Sequence, residues 1–367
     1  MFFRIVIRVI IALIIIMYIL VSKIYKEMFL TRSYSYEPKI LRLEDFPGLE
    51  RERYQFPSNR GQILTGYLYH NATYQLEHSQ PKSETAINPK TAWQGLLVIA
   101  HGYGGGGHQS YLELTDYFAG QGFLVFAYDA TGNDESEGQG VGCLPQGVID
   151  LDYAISFVEQ LDIAQGLPLF LFGHSWGAYS VCTVLSYHPE VKAVIACSGF
   201  NDSQAMLLAD GQKRFGPLMY FFFPYVRYQE EKRSGSYAGK SSLDGFAASN
   251  TSVMLVQGGK DDLVPAQFGY DLFYDAYKND PRFEFVFLAE RAHNYIYCDQ
   301  SYLKEFDQAY EAWRKSLAYN PKCRRNKARF EADKAAYIIR HLDRKRWANK
   351  LDTELCERFS KFLKKHR

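Results

Sequence analysis

Phe172-Gly173-His174-Ser175-Trp176-Gly177-Ala178 is the stretch whose reading decides the fold. An apolar run, Leu167-Pro168-Leu169-Phe170-Leu171, precedes it, and a helical-looking segment, Tyr179 to Tyr187, follows. Strand, Gly-x-Ser-x-Gly, helix is the setting of a nucleophile elbow. The chain must reverse sharply at the serine, which strains its backbone and leaves no room for side chains two residues to either side. Glycine meets both demands. The serine hydroxyl then stands at the carboxyl edge of a sheet, over the positive end of the next helix. The pentapeptide alone is weak, because a chain of this length shows it by chance about one time in ten. Its meaning depends on what surrounds it.

Outward from the elbow, unbroken apolar runs recur at Leu96–Ala100, Phe123–Tyr128, Val191–Ser198, Ser252–Gln257 and Phe283–Leu288. Such runs are expected of strands buried on both faces. Helical patterns at Ser110–Ala119, Ile149–Leu161 and Ala266–Tyr277 separate them. The alternation implies βαβ units and a mainly parallel sheet flanked by helices. Upstream, Tyr54–Pro57, Ser58–Gly61 and Ile63–Tyr69 read as strand, turn, strand. Residues 31–49, with Pro38 and Pro47, read as a linker, and residues 74–92 as a polar surface loop. Residues 199–249 lie between two consecutive strands and hold the aromatic cluster Leu218–Tyr225. So long a connection without structure is uncommon, so a helical cap insertion over the carboxyl edge is expected. Its aromatic cluster could form the cap's own core, line a pocket or touch a membrane.

The 367 residues and 47% hydrophobic content support a sizeable core. Net charge is +1, but residues 301–367 carry 19 basic and 9 acidic side chains against 23 and 32 in residues 1–300. An acidic body and a basic tail suggest two different surroundings. The cysteines at 143, 182, 197, 298, 323 and 356 form no CxxC pair and no metal-ligand spacing. Cys182 and Cys197 are expected to be buried free thiols.

Ile5 to Val21 is almost wholly apolar, interrupted by Arg8. With Phe2 and Phe3 included and Arg4 and Arg8 snorkelling, the span reaches roughly 20 residues, enough to cross a bilayer. It exits through Ser22-Lys23-Ile24-Tyr25-Lys26 with no small-residue cleavage pattern. The expectation is an uncleaved single-pass membrane anchor rather than a cleaved leader. Arg4 and Arg8 precede the span while Lys23, Lys26 and Arg32 follow it, which leaves the side of the membrane open.

A serine hydroxyl needs a base within hydrogen-bond reach, and the base needs a partner to fix its tautomer. In this sheet class the order is Ser, acid, His. The acid candidates lie after the run 252–257, in Gly258-Gly259-Lys260-Asp261-Asp262-Leu263-Val264-Pro265. The G-x-x-D-x-x-V-P frame selects Asp261, and a frame shifted by one selects Asp262. The base candidate is His293, in the loop after the final run. His101, His108 and His174 flank the site by sequence and are expected to shape loops, since no acidic or Cys partner accompanies them at metal-ligand spacing. Oxyanion donors are expected from the backbone N–H of Trp176 and, in the loop His101-Gly102-Tyr103-Gly104-Gly105-Gly106-Gly107, of Tyr103. A phosphate loop fails because His108-Gln109 stands where Lys-Ser/Thr belongs.

The elbow, the His101-Gly102 loop, Tyr128-Asp129-Ala130-Thr131-Gly132-Asn133-Asp134-Glu135-Ser136-Glu137-Gly138, the Asp261 motif and His293 together resemble the α/β-hydrolase superfamily. Within it they are similar to the monoacylglycerol-lipase-like and prolyl-aminopeptidase-like serine hydrolases. The resemblance covers roughly residues 50–300. It implies an α/β-hydrolase fold and a carboxylesterase or lipase-like enzyme with Ser175, His293 and Asp261 as triad and no cofactor or metal. Two departures stand out: Ala292-His293 replaces the usual Gly-His, and Asn133-Asp134 occupies a turn where Gly-x is commoner. Dehalogenases and epoxide hydrolases of the superfamily carry Asp at the nucleophile position, so Ser175 argues against their chemistry.

The expected organisation is an anchor over 1–30, a linker over 31–49, a hydrolase domain over 50–320 with its cap at about 199–249, and a basic helical C-terminal extension over 321–367. Within the tail, Tyr302–Leu317 reads as the family's last helix, and 325–340 and 344–363 as further helices. They are expected to pack on the body or to contact anionic lipid headgroups; nucleic-acid binding is not expected, since no such module is present. The leading functional expectation is a membrane-anchored serine hydrolase acting on a small-molecule or lipid ester. An aminopeptidase on the same triad would need cap carboxylates to hold an ammonium group, and Asp202, Asp210, Glu230 and Glu231 are available. A silent binding scaffold is the third alternative, and the intact triad candidates weigh against it.

Overall fold

The computed structural model describes residues 2–78 and 93–367. An eight-stranded sheet runs in the order β1-β2-β4-β3-β5-β6-β7-β8. The strands are β1 (Leu49–Pro57), β2 (Ile63–Asn71), β3 (Gly95–Ala100), β4 (Phe123–Tyr128), β5 (Leu169–His174), β6 (Ala193–Cys197), β7 (Ser252–Gly258) and β8 (Phe283–Leu288). β1 and β2 form an antiparallel hairpin, β2 pairs antiparallel with β4, and the remaining pairs are parallel. This is the mainly parallel, helix-flanked sheet expected of the unbroken apolar runs.

Those runs are apolar because alternate residues serve two cores. Leu96, Val98, Leu124, Phe126 and Leu171 point to one face, and Leu97, Ile99, Val125, Phe170 and Phe172 to the other. The first face is covered by α4 (Gln146–Val158) and α5 (Trp176–Thr183), whose Val148, Leu151, Ile155, Ala178 and Val181 are fully buried. The second is covered by α3 (Leu112–Gly120) and by α13 (Thr353–Lys365).

The chain opens with α1 (Phe2–Phe29), which is long and apolar enough to cross a membrane and is exposed over Phe2–Leu20 apart from the half-buried Met17. Residues 31–49, read as a linker, lie on the body: Leu41, Phe46 and Leu49 join the second core, and the Arg32 guanidinium donates to the carbonyls of Gly138, Asp134 and Ser136 at 2.6, 2.7 and 2.8 Å. Of the surface loop expected over 74–92, residues 79–92 lie outside the described residues. The rest belongs to a helix, α2 (Ala72–His78), because the Asn71 side chain accepts the Tyr74 N–H and starts a turn.

Between β6 and β7 lie the helices α6 (Ser203–Phe215), α7 (Met219–Ser234) and α8 (Ser242–Ala248), while α9 (Tyr270–Tyr277) precedes β8. The tail holds α10 (Gln300–Ser316), α11 (Lys327–His341), α12 (Arg344–Ala348) and α13. The single helix expected over 344–363 is thus two. Asp352 accepts the Leu355 N–H as the N-cap of α13, and Leu351 bridges to Cys298. The helix that lies against the sheet is α13 rather than the one near 302–317. Its Cys356, Phe359 and Leu363 are fully buried, and Phe359 meets Phe172 of β5. The break lets Lys350 turn inward to an ion pair with Glu113 of α3 at 2.5 Å, with both side chains buried.

Candidate active site

The elbow forms where β5 turns into α5. Ser175 has φ 58° and ψ −117°, a backbone conformation that L-residues rarely adopt. Its N–H donates to the Cys197 carbonyl at 2.8 Å, which ties the turn to β6. A Cβ on Gly173 would lie 2.3 Å from the Gly177 carbonyl oxygen, and one on Gly177 would lie 2.0 Å from that of Ala100. The turn is therefore closed to any other residue at both positions, as its close approach to β3 demands.

His293 reaches the serine from the loop after β8. Ser175 Oγ stands 2.8 Å from His293 Nε2, and His293 Nδ1 stands 2.7 Å from Asp261 Oδ2. Asp261 follows β7, and its other oxygen accepts the N–H groups of Leu263 at 3.1 Å and Val264 at 2.8 Å. Burial works against charge on Asp261, but the hydrogen bond and charge of His293, with the Val264 amide, outweigh it and hold the carboxyl below its ordinary range. Asp262, the competing frame, is exposed. The structure thus brings Ser175, Asp261 and His293 together and leaves Asp262 apart. Such a chain lets Ser175 pass its proton to Nε2 as it attacks, while Asp261 fixes the proton on Nδ1.

Two further hydrogen-bonded arrangements position these groups. Arg291 donates to the carbonyls of Ile296 at 2.5 Å and Cys298 at 3.1 Å and pairs with Asp352, which fixes the His293 loop to the start of α13. His174 lies directly beneath His293, with Nε2 2.9 Å from the His293 carbonyl oxygen and Nδ1 3.0 Å from the Tyr111 hydroxyl. Burial, then the neighbouring His293, push the His174 pKa down to about 4. Neutral His174 therefore donates to the His293 carbonyl and accepts from Tyr111. His101 and His108 shape loops as expected: His101 accepts the Ala130 N–H at 3.0 Å, and His108 meets Asp129 at 2.7 Å. The unusual Asp134 has a local use, since its carboxylate takes the N–H and hydroxyl of Ser35 and the N–H of Gly107, each at 2.6 Å. It joins the N-terminal segment to the glycine loop.

Trp176 is the first residue of α5 and Tyr103 lies in the glycine loop; both line a cavity of about 530 Å³ with Ser175 and His293. Neither N–H has a partner among the described residues, whereas that of Gly102 is taken by the Tyr111 hydroxyl at 2.9 Å. The remaining wall is largely apolar: Leu144, Phe200, Met206, Leu207, Leu263 and Val264. Met28 and Phe29, from the end of α1, complete it. Sequence reasoning missed both, because they lie past the apolar run, in a short charged exit whose partners are far along the chain.

Residues 91–247 match the family described as serine aminopeptidase, S33. That segment contains the glycine loop, Ser175 and most of the α6–α8 insertion. The chain has the fold of an α/β-hydrolase. The chain is similar to the esterase Pf2001 of Pyrococcus furiosus in two crystal forms. One has a TM-score of 0.53 at 16% identity over 79% of this chain and 99% of the esterase. The other has 0.52 at 16% identity over 78% and 96%. At such identity the likeness concerns the fold. A comparison with curated protein sequences gives no match.

Proposed function

We propose that this hydrolase is a membrane-anchored serine esterase that cleaves carboxylic esters of lipids or other acyl alcohols. The observation that carries the reading is the chain of contacts from Asp261 through His293 to Ser175, at 2.7 and 2.8 Å. Ser175 Oγ bonds to the ester carbonyl carbon, and His293 takes its proton. The oxyanion is met by the N–H groups of Trp176 and Tyr103. The alkoxy C–O bond breaks, His293 hands the proton to the departing alcohol, and water then cleaves the acyl-enzyme by the same route. Asp261 holds the imidazole throughout. The anchor reading rests on the exposed apolar length of α1.

An aminopeptidase on the same three residues is the second reading, favoured by the description of the matching family. Its requirement is a carboxylate facing the cavity. Asp210 lines the cavity but is paired with Arg214 at 2.9 Å. Asp202 caps α6, Glu230 is buried against Ser203, and Glu231 pairs with Arg227. The apolar cavity suits an acyl group better.

Labelling with a fluorophosphonate, followed by assays on p-nitrophenyl esters and aminoacyl-nitroanilides, decides between the readings. Ser175 labelling with ester turnover is expected. Anilide turnover without ester turnover would favour the peptidase, and absence of labelling would leave only the scaffold. Headgroup contact by the basic tail is a separate part of the proposal. Because α13 packs on the sheet, charge reversal at exposed Lys361 and Lys365 tests it better than deletion of the tail. Unchanged partitioning onto anionic vesicles would refute it.

A further inference from the structure

A narrow crevice of about 40 Å³ runs between α1 and the helices α6 and α7. Val21, Ile24 and Tyr25 line it from α1, and Leu207, Met219 and Val226 from the other side. It shares Met28, Phe29, Leu207 and Asp210 with the Ser175 cavity, so the two are adjacent and divided by a common wall. Among the described residues that line it, the charged ones are Asp210 and Arg214, which pair with each other. The crevice therefore presents no net charge to an occupant.

The placement along α1 points to where an occupant comes from. Residues Phe2 to Leu20 are exposed but for the half-buried Met17, and span about 28 Å of helix, close to the roughly 30 Å of a bilayer's hydrocarbon core. The Tyr18 ring meets Tyr225 of α7 edge-on at 4.6 Å, full burial begins at Val21, and the charged side chains Lys23, Lys26 and Glu27 follow at once. The crevice thus begins where the apolar length of the helix ends. Beside it, at the start of α7, Leu218, Tyr220 and Phe221 are 57, 64 and 74% exposed. They form an apolar shoulder of the kind that rests in a membrane interface.

We propose that this crevice takes the acyl chain of a bilayer lipid ester, which slides from the leaflet along α1 until its carbonyl stands at Ser175. At about 40 Å³ the crevice is tight as it stands, so an unbranched chain enters it only as the flexible Met28 and Met219 side chains give way, while the wider cavity takes the ester and its alcohol. The inference rests on the esterase reading above. On it, α1 is a wall of the substrate site as well as an anchor.

The test uses the full-length protein in phosphatidylcholine vesicles and a hexadecyl fluorophosphonate bearing a diazirine near its terminal methyl. Reaction at Ser175 followed by light is expected to cross-link the chain end to the peptide Val21–Phe29 or to Leu207–Met219. Labelling of Ser175 with cross-links only elsewhere would overturn the crevice and leave the esterase standing. No labelling of Ser175 would overturn the esterase reading and this inference with it. A second measurement compares kcat/KM for C16 and C4 monoacyl esters in I24W, where a bulky ring enters the crevice from α1. The C16-to-C4 ratio is expected to fall at least tenfold, and an unchanged ratio would overturn the proposal.

Discussion

The hydroxyl of Tyr103, in the glycine loop beside Ser175, donates a hydrogen bond to the main-chain carbonyl of Met28, in the last turn of α1. The Tyr103 ring also packs edge-on against Trp176, the residue after the nucleophile, at 5.9 Å. One side chain thus connects the helix proposed as an anchor with both groups proposed to meet the oxyanion. Tyr103→Phe removes a single hydrogen bond, worth about 1 kcal/mol. The expected outcome is a fall of about fivefold in kcat/KM for esters, with fluorophosphonate labelling retained. Steady-state kinetics on full-length protein in detergent check it.

Asp261 and Asp262 are neighbours in sequence with different surroundings, so their amides make a matched pair. Asp261→Asn leaves the size unchanged but offers His293 Nδ1 the wrong partner. A loss in kcat of about 10³- to 10⁴-fold is expected by analogy with other serine triads. Asp262→Asn is expected to stay within about twofold of the parent. Equal effects at the two positions would exclude the proposed relay.

His174 imposes a pH dependence on stability. Its folded-state pKa of about 4 lies below its ordinary value, because burial opposes its charge. As pH falls, the unfolded chain takes up the proton first. The stability it contributes is therefore complete above about pH 6.5 and is lost as the pH approaches about 4; the amount is on the order of 3 kcal/mol. His174→Gln keeps an N–H for the His293 carbonyl and removes the titration. The melting temperature of the variant is expected to depend less steeply on pH between 6.5 and 4 than that of the parent. Parallel curves would show that His174 does not titrate as described.

The Lys350–Glu113 pair is buried on both sides. Lys350→Met strands a carboxylate and is expected to cost about 3–5 kcal/mol, read as a lower melting temperature. Adding Glu113→Leu removes the stranded charge, and the double variant is expected to regain most of the loss. No recovery would mean that the packing of Lys350, whose Nζ sits 4.4 Å from the Trp347 ring centre, matters more than its charge.

The parallel strands were legible because burial on two faces leaves an unbroken apolar run, and the elbow because its two glycines have no substitute. Asp261 and His293 were legible from their places after β7 and β8. What escaped were contacts made by groups with ordinary sequence signatures. Lys350 sits in a basic stretch that resembles a solvated helix, and its partner lies 237 positions away. Asn71 is one polar residue before a polar segment, yet it starts α2. His174 was read as local, but it supports the main chain of His293 from across the sheet edge. In each case the partner, not the residue, carries the information, and the partner is distant in the chain.

The face of α1 that carries Ser22, Tyr25 and Phe29 is seated on the body. Tyr25 donates to the Gly142 carbonyl at 2.8 Å, Gly142 returns its N–H to Phe29 at 2.7 Å, and Ser22 meets Tyr225 of α7 at 3.1 Å. The usual way to obtain a soluble sample of a protein with such a segment is to trim the hydrophobic helix, and here that shortcut would alter the proposed active site. A fragment starting after Phe29 loses two side chains of the Ser175 cavity and uncovers Gly142. Any substrate profile measured on it would describe an open-sided variant rather than the intact chain, so inhibitors or substrates ranked on it would need ranking again on the full-length protein.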